Sequence, residues 1–475
     1  MLFRSDFLPL KSYTNIKEGN ALRVPWDEWE IEEKNPTIIA QHTTIYPIEE
    51  ELTPLVGEPV IQYGDINLYS ENIEFRKTPK APETRHVTFD YIMGNPPFVG
   101  GKMMSASQKE DMLAIFGKKW KNLGNMDYVC CWYMKAAALI RGTNTEVALV
   151  STNSITQGQA VASLLGILLE EGFHINFAWR TFRWDSEASL KAHVHCVIIG
   201  FAHKERSIKR IYTNESSKTA QYINGFLTDA PNIIIDNRMK PISDVPLMDF
   251  GNMPNDGGNL LLSEQEREEV LQKEPALAAY IRPYVGAVEF INRKTRYCFW
   301  LKGVSPSVIR NSHILRERVE RVRDLRLAST AAPTREKADV PHLFFYISHP
   351  DSTYLLVPST SSERRRYIPM GYMDENTITS NAALIVPGAE LYHFGVLESN
   401  VHMAWVRAVC GRMKSDYRYS NKVVYNNFPW PTPTDEQRAH IEQTAKAILD
   451  ARALYPESSL ADLYDELTKI GRAHV

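Results

Sequence analysis

The sequence predicts an α/β fold: an open sheet over residues 1–204, an α+β domain over residues 205–433 and a helical segment over residues 434–475. Three observations support this division. Short β-rich runs alternate with helical patterns in the first part, prolines and turn residues accumulate in the second, and one long helical pattern follows residue 433. Strands that alternate with helices indicate an open α/β sheet with helices packed on it.

The elements of the first domain can be predicted in order. A β-rich run covers Val87 to Met93, an apolar helical pattern covers Asp127 to Ile140, and a second strand covers Glu146 to Val150. One more helix and two more strands follow, at Ala160 to Glu170, His174 to Trp179 and His193 to Phe201. Ligand-binding loops of such sheets lie at the carboxyl ends of the strands. We therefore expect Asn95 and Asn153, which follow the first two strands, at that edge.

The second and third domains are separated by proline-rich segments. Four prolines interrupt the run from Arg206 to Pro254, and Met253 to Gly258 has the composition of a turn-rich junction. Phe428 to Pro433 contains three further prolines and precedes the helical pattern of Thr434 to Lys469. The final residues, Ile470 to Val475, match in one reading frame the translation of a common sequencing-adapter oligonucleotide, which indicates that they are not native.

The composition limits the classes of protein to which this chain can belong. The 475 residues are 44% hydrophobic, as in globular proteins, and 57 acidic against 54 basic side chains give a net charge of −3. A nucleic-acid-binding surface must therefore come from local clusters of positive charge. Five cysteines without paired metal-ligand spacing favour a reducing cytoplasm and no metal site. No apolar run reaches the length of a membrane span, so we expect a cytoplasmic protein that does not contact membranes.

The most informative motif is Asn95-Pro96-Pro97-Phe98, at the end of the first predicted strand. It resembles the active-site loop of methyltransferases that act on the amino group of adenine. There, the Asn95 side-chain oxygen and the Pro96 carbonyl would each accept one amine hydrogen, favouring the pyramidal nitrogen of the transition state. The prolines would fix the backbone, and Phe98 would stack on a base. The alternative is an ordinary turn, because Asn-Pro often begins one.

Further motifs resemble, in the same order, those of the MmeI-like family of site-specific adenine methyltransferases. Asn15 to Leu22 with Trp26, Gly94 to Gly100, and Val150 to Ile155 resemble its catalytic motifs. Its target-recognition region is similar to five later segments: Gly251 to Gly258, Arg282 to Ile291, Ser361 to Pro369, Ser415 to Ser420 and Tyr425 to Pro431. The resemblance implies a partial class I, Rossmann-like methyltransferase sheet, S-adenosylmethionine as methyl donor, and double-stranded DNA as partner in a restriction-modification system.

Family members carry, ahead of the Gly19-Asn20 segment, a glycine-rich loop that holds S-adenosylmethionine and an acidic residue that holds its ribose. We find neither, and expect a C-terminal fragment whose full-length form has upstream methyltransferase and nuclease regions. Such a chain is predicted to be weakly active or inactive. Two functions therefore stay open: an adenine-specific DNA methyltransferase, and a catalytically incompetent DNA-binding specificity module. Methylation of RNA or of a protein amide is disfavoured by the long recognition region.

The resemblance also assigns individual residues. Asn20 matches a position that approaches the adenine of the donor, and Phe98 is placed to pack on the same ring. The alternative for Asn20 is a turn residue. Asp127 and Tyr128 match the motif after the catalytic loop, where they would position the flipped base or cap a helix. A second stacking ring is left unassigned among Phe182, Trp184, His193 and His195.

DNA binding should appear as local positive charge. Residues 291–337 contain twelve Lys or Arg against four acids, a local net charge of 12 − 4 = +8. Asn311 to Ala328 predicts one basic helix whose arginines, Arg316, Arg318 and Arg323 among them, face outward to phosphates. Its inner face would comprise Ile314, Leu315, Val319, Val322 and Leu325. A second cluster is Arg364-Arg365-Arg366. A solvated helix face is the alternative for the first cluster.

Overall fold

The structure, a computed structural model, describes residues 19–30, 46–48, 75–77, 84–118, 120, 122–185, 193–413 and 415–465. The predictions for residues 2–18, which include the start of the first motif, and for residues 466–475 lie outside these ranges. Four short strands come first: β1 (Glu28–Glu30), β2 (Tyr46–Ile48), β3 (Phe75–Lys77) and β4 (Thr84–His86). Strand β1 pairs with β4 in antiparallel fashion, and β2 pairs with β3 in parallel.

The main sheet of the first half has six strands in the order β10-β9-β7-β8-β6-β5. They are β5 (Tyr91–Gly94), β6 (Glu146–Thr152), β7 (His174–Asp185), β8 (His193–Ala202), β9 (Lys209–Tyr212) and β10 (Ser217–Ala220). Strands β5 and β6 are parallel, whereas β8 runs antiparallel between β6 and β7. The predicted α/β class is confirmed. The sheet continues past the predicted boundary at residue 204, because β9 pairs with β7.

Four helices pack on this sheet: α1 (Ala106–Phe116), α2 (Cys130–Ile140), α3 (Gln159–Ser163) and α4 (Leu165–Glu170). Helix α1 begins at a capping box in which Ser105 and Gln108 exchange side-chain-to-backbone hydrogen bonds. Helix α2 is apolar on most of its surface and buries Cys130, Cys131 and Tyr133 against the sheet. The predicted helix Ala160 to Glu170 is two helices, because the backbone leaves the helical region at Leu164.

Two other predicted strand boundaries differ from the observed ones, each for a physical reason. The run from Val87 is not strand at its start, since the Val87 amide donates to the Asp27 carbonyl at 2.7 Å and only Tyr91 onward pairs with β6. Strand β7 continues beyond Trp179 to Asp185, because its second half pairs with β8 across a register shift. Cross-strand pairing is a tertiary contact, which local sequence pattern does not reveal.

The second half is built from small, mostly antiparallel sheets around two cores. The sheets have the orders β11-β19-β15-β17, β12-β14-β13-β18 and β16-β21-β20. The strands are β11 (Asp249–Phe250), β12 (Leu261–Leu262), β13 (Ile281–Val285), β14 (Tyr297–Phe299), β15 (Tyr354–Pro358), β16 (Thr360–Ser361), β17 (Gly371–Met373), β18 (Ile378–Thr379), β19 (Ala383–Pro387), β20 (Gly411–Met413) and β21 (Asp416–Arg418). One core also takes up Val161 from α3, so it joins the two halves of the chain.

Nine α-helices accompany these sheets in the described part of the second half. They are α5 (Glu264–Lys273), α6 (Ala287–Asn292), α7 (Pro306–Asn311), α8 (His313–Leu327), α9 (Ala332–Glu336), α10 (Leu391–Leu397), α11 (Asn400–Val409), α12 (Asp435–Ala453) and α13 (Leu460–Leu463). The predicted C-terminal helix is therefore α12 followed by α13. Helix α12 lies close to α10 at Gly395, where an added Cβ atom would come within 3.1 Å of Ala445. No helix in the described ranges has the length and apolar content of a membrane span.

A buried ion pair fastens α12 to the rest of the second half. Glu398 is 6% exposed, and its Oε1 accepts hydrogen bonds from Arg452 at 2.9 Å, from the Tyr464 hydroxyl at 3.2 Å and from the Met370 amide at 3.0 Å. Burial raises the pKa of Glu398 to about 7, although Arg452 and the Met370 amide act in the opposite direction. The folded state therefore binds a proton at this carboxyl more tightly than the unfolded chain does.

This shift predicts a pH dependence of stability. A raised carboxyl pKa stabilises the fold below the ordinary value of 4.5, and that contribution is lost as the pH rises through about 7. Glu398→Gln keeps an acceptor for Arg452 but does not titrate. We expect the denaturation midpoint of the wild-type chain to fall relative to that of E398Q between pH 5 and pH 7. A constant difference between the two midpoints over this range would contradict the assignment.

Candidate functional site

The Asn95-Pro96-Pro97-Phe98 loop leaves the carboxyl end of β5, beside the end of β6. Asn95 and Pro97 are exposed, Pro96 is buried, and Phe98 is half-buried against the core of the first half. Within the described ranges, no hydrogen bond engages the Asn95 side chain. The loop thus has a buried backbone anchor at Pro96 and a polar side chain whose amide group is available to a ligand.

Asp127 holds the residue that follows this loop. Its Oδ1 accepts the amide hydrogens of Val99 and Val129, both at 3.1 Å, and its Oδ2 accepts the Thr152 hydroxyl at 3.3 Å. The Val99 carbonyl accepts the Tyr128 amide at 2.9 Å. Burial raises the pKa of Asp127 above its ordinary value, although these hydrogen bonds favour the ionised form. The helix-capping alternative for Asp127 is not borne out: its bond to Val129 closes a turn just ahead of α2, whose N-cap is Val129 without a side-chain capping bond.

The turn that contains Asn20 lies against α1. Asn20 Oδ1 accepts the Leu22 amide at 3.0 Å, and its Nδ2 donates to Asp111 at 3.0 Å. The buried Asp111 carboxylate also accepts from Arg23 at 2.8 Å and from the Tyr128 hydroxyl at 2.6 Å. Burial alone would raise the pKa of Asp111, but the bonds from Tyr128, Arg23 and Asn20 outweigh it and hold that pKa below its ordinary value.

Lys135 of α2 fixes the same turn from the other side. Its Nζ donates to the carbonyls of Ala21, Leu22 and Val24 at 2.8, 2.9 and 2.6 Å, and lies 5.1 Å from the centre of the Trp26 ring. Burial lowers the pKa of Lys135. Three carbonyl acceptors satisfy all three ammonium donors. The turn is consequently held by two charged groups, Lys135 and Asp111, that contact it directly.

A cleft lies between the two halves of the chain, with a cavity of about 500 Å³. One wall carries Asn153, Phe182 and His195 from the first half. Arginines line both walls: Arg180, Arg183, Arg407 and Arg412. The two halves meet closely here, because the Gly158 amide donates to the Val409 carbonyl at 3.1 Å and an added Cβ atom on Gly158 would lie 3.4 Å from the Gly411 backbone.

Sequence reasoning missed these arginines. They come from β7, α11 and β20, so they form no run of basic residues along the chain. The predicted strand ended at Trp179, so it did not include Arg180 and Arg183. Continuing the strand pattern through Arg180-Thr181-Phe182-Arg183-Trp184 would have indicated them. Arg407 and Arg412 belong to separate elements and reach the cleft only through the fold.

The second basic cluster of the sequence lies beside the same cleft. Glu363 lines the cavity next to Arg412, with 3.8 Å between the charged atoms, and Arg407 donates to the Arg366 carbonyl at 2.9 Å. Arg364 and Arg366 are exposed, whereas Arg365 is half-buried. Burial lowers the pKa of the Arg365 guanidinium, and the negative charges of Asp416 and Asp465 oppose that shift.

The basic helix differs from its prediction in three respects. Leu325 is 40% exposed rather than internal, and Arg326 is 0% exposed. Arg326 donates to five main-chain carbonyls: Pro254, Asn255, Lys337, Val340 and Leu343. Arg318 does not face outward either, since it donates to the Asn259 and Leu261 carbonyls and pairs with Glu266 at 3.3 Å. Arg316 and Arg323 are exposed, as the periodicity predicts.

The candidates for a second ring are separated by the structure. Phe182 and His195 line the cleft, and Trp184 is 44% exposed near Phe182, with 6.1 Å between the ring centres. The backbone of His193 begins β8, but its side chain lies outside the described part of the structure. Asn153 is buried at the cleft, consistent with a place in the floor of a pocket. The Asn95 loop and the cleft both lie beyond the carboxyl ends of β5 and β6.

Comparison with known protein families gives three consecutive matches. Residues 2–213 match the MmeI DNA-methyltransferase domain, residues 229–432 match the MmeI target recognition domain, and residues 433–474 match the MmeI C-terminal domain. The chain is also 38% identical over 434 residues to DNA methyltransferase A of Bacillus subtilis strain 168. That alignment covers 90% of this chain and 49% of the relative.

A solved structure gives a similar result. The type IIL restriction-modification enzyme MmeI, determined in complex with DNA, is 47% identical in sequence, with a TM-score of 0.75. The alignment covers 79% of this chain and 51% of that protein. The chain thus spans about half the length of each of these two proteins.

Proposed function

We propose, since the chain belongs to the MmeI family of DNA methyltransferases, that it transfers a methyl group to the N6 amine of an adenine flipped out of duplex DNA. The donor in this proposal is S-adenosylmethionine, and the setting is site-specific methylation within a restriction-modification system. The observation that carries the proposal is the exposed Asn95 side chain at the carboxyl end of β5, whose amide makes no hydrogen bond within the described residues. Such an enzyme acts where the DNA is, so we place it in the cytoplasm.

Asn95 and Pro96 would orient the amine. The lone pair of an exocyclic amine is delocalised into the purine ring, so the amine must become pyramidal before it attacks. Acceptors that are already in place stabilise that geometry without reorganising during the reaction. Asn95 Oδ1 and the Pro96 carbonyl are neighbouring acceptors on a backbone that Pro96 and Pro97 restrict. The exposed face of Phe98 would stack on the extruded base, offsetting part of the cost of flipping.

The side chains near the loop fit a purine-containing donor. Asn20 retains a second amide hydrogen and a second lone pair beyond its bonds to Asp111 and Leu22, and Phe98 offers a half-exposed ring. An amide and an aromatic ring are the groups that suit the edge and the face of an adenine. S-adenosylmethionine, when bound, supplies an electrophilic methyl group. The protein's own part is to hold the donor and to aim the amine at it.

The arginine-lined cleft is our proposed site for duplex DNA. Arg180 and Arg407 are exposed on opposite halves of the chain, and Arg364 and Arg366 lie beside the cleft. Guanidinium groups bind phosphates by charge and by paired hydrogen bonds, and arginine also reads guanine in the major groove. Arg316 and Arg323 on α8 are retained as further phosphate contacts. Arg318 is less suited to this role than predicted, because its donors are engaged.

The proposed domain division is a catalytic domain over residues 1–220, a target-recognition domain over residues 221–433 and a helical segment over residues 434–475. The first boundary lies after residue 204 because β9 and β10 belong to the main sheet. The cleft lies between the first two. Its position supports the proposal that the first half transfers the methyl group and the second half selects the DNA sequence. Contacts to phosphates would set the register of the duplex, and contacts to base edges would set specificity.

A second candidate is a DNA-binding specificity module without catalysis. The observation in its favour is that described residues of both halves line the cleft, whereas the Asn20 amide is already bonded to Asp111 and Leu22. Donor binding distinguishes the two candidates, because both require the cleft and only the enzyme requires the donor.

Calorimetry with S-adenosylmethionine tests the proposal. We expect saturable binding to the purified chain, or to the gene product extended by any coding sequence upstream of it. Asn20→Ala should weaken that binding by about tenfold, the cost of one to two hydrogen bonds. Asn144→Ala is the matched control, since Asn144 is exposed beyond the opposite end of β6. DNA binding without donor binding in either protein would favour the specificity module.

A further inference from the structure

We propose that Tyr128 and Asp127 are positioning residues that join the Asn20 turn and the Asn95 loop into one rigid unit. This inference rests on the proposed function, because it assigns the donor to the turn and the adenine to the loop. Methyl transfer requires the two reacting atoms to be held within a few tenths of an ångström of a productive arrangement. A direct hydrogen-bonded link between their two holders would provide that constraint.

The link begins at Asp111. This carboxylate is 5% exposed and lies between the turn and α2. It accepts from Asn20 and Arg23 on the turn and from the Tyr128 hydroxyl just ahead of α2. A buried carboxylate with three donors has a fixed position, because losing any donor would leave a buried charge less well compensated. The turn and Tyr128 therefore share one anchor.

The link continues through the backbone of Tyr128. Its amide donates to the Val99 carbonyl at 2.9 Å, while the neighbouring Asp127 accepts the Val99 amide at 3.1 Å. Both polar backbone groups of Val99, the residue after Phe98, are thus held by consecutive residues. Tyr128 is itself 4% exposed and packs edge-on against Trp132, with 5.2 Å between ring centres. One buried tyrosine therefore contacts the anchor of the turn with its hydroxyl and the end of the loop with its amide.

Asp127 also ties the loop to the next strand. Its second oxygen accepts the hydroxyl of Thr152, the last residue of β6. The end of the loop is consequently fixed to both α2 and β6. The bonds of Asp127 to Val99 and Thr152 do not cap α2, because the N-cap of that helix is Val129. Neither side chain is assigned contact with the substrate or the donor, so their effect on the reaction would act through Asn20 and Asn95.

Two substitutions test the inference separately. Tyr128→Phe keeps the ring and removes the hydroxyl, so we expect the KM for the donor to rise by about tenfold to a hundredfold, as for one hydrogen bond to a charged group, with kcat less affected. Asp127→Ala removes the acceptor for Val99. It should lower kcat by more than about tenfold while the affinity for DNA stays the same. Asp127→Asn keeps one acceptor oxygen and should recover most of the lost kcat.

Hydrogen-deuterium exchange gives a readout that does not depend on activity. In Asp127→Ala, the Val99 amide should exchange at least about tenfold faster than in the wild-type chain, because its acceptor is gone. Asp256→Ala is the matched control: Asp256 is 3% exposed and accepts the amides of Gly258 and Leu260, far from the loop in sequence. That variant should destabilise the recognition half without changing exchange at Val99.

The outcomes separate the two proposals. If the wild-type protein neither binds the donor nor methylates DNA, the proposed function fails whatever the exchange experiment shows. If the wild-type protein is active and Tyr128→Phe leaves the KM for the donor unchanged, or Asp127→Ala leaves kcat unchanged, the positioning role is overturned. Equal losses in Asp127→Ala and Asp127→Asn would also overturn it, because they would show that the acceptor oxygen is not what matters.

Discussion

Asn95→Ala is expected to abolish methyl transfer while duplex DNA binding stays within about twofold of the wild-type value. The side chain would provide one of two acceptors that make the adenine amine pyramidal. Loss of one preorganised hydrogen bond at a reacting group typically lowers kcat by about a hundredfold to a thousandfold. Asn95 is exposed and unengaged in the described structure, so its removal should cost little stability. The measurement is transfer of labelled methyl groups to duplex DNA, with binding followed separately by gel shift.

Asn144→Ala controls for removal of an exposed asparagine near the same sheet, and it should methylate at the wild-type rate. The experiment is best run on whichever form transfers methyl groups, the chain itself or the upstream-extended gene product. Wild-type activity in Asn95→Ala would show that this side chain is not an acceptor for the amine. Loss of DNA binding together with activity would instead assign Asn95 to the DNA interface.

Removing the charges of Arg180 and Arg407 together is expected to weaken DNA binding by about tenfold to a hundredfold at moderate salt. Each arginine that neutralises a phosphate adds about 0.9 to the slope of log affinity against log salt concentration. The double alanine variant should therefore reduce the magnitude of that slope by about 2. The two residues lie on opposite halves of the chain and both line the cleft. The effect should be similar for all DNA sequences, because phosphate contacts carry no base information.

The control is a double alanine variant of Arg141 and Arg206, which removes the same amount of positive charge from outside the cleft. Both arginines are exposed and paired with glutamates, Glu171 and Glu146 respectively. Their loss should leave the salt slope unchanged. The corresponding variant of Arg316 and Arg323 measures whether α8 also contacts DNA. An unchanged salt slope in the variant of Arg180 and Arg407 would remove the cleft from the interface.

The sequence predicted the position of the Asn95-Pro96-Pro97-Phe98 loop well because the elements around it are local. The β-rich run before Asn95 and the apolar pattern of α2 depend on neighbouring residues, and both occur in the structure. The parallel pairing of β5 with β6 then places Asn95 and Asn153 at one edge, as expected. The roles of these residues remain a prediction, since geometry shows where a side chain lies and not what it binds.

The direction of long charged side chains was not predictable from periodicity. Helical spacing correctly placed Leu315 and Val322 inside, but Arg318 and Arg326 turn back to main-chain carbonyls. An arginine can satisfy its five donors with carbonyls of neighbouring loops, and the positions of those loops depend on the tertiary fold. The cleft was missed for the same reason, since its arginines come from segments more than two hundred residues apart.

The most direct test of the central claim is mass spectrometry of nucleosides from duplex DNA incubated with the protein and S-adenosylmethionine. The central claim is that Asn95 and Pro96 hold the amine of an extruded adenine for methylation. It predicts N6-methyladenine as the product, and none from the Asn95→Ala variant. Methylcytosine as the product, or N6-methyladenine at equal levels from both proteins, would contradict it.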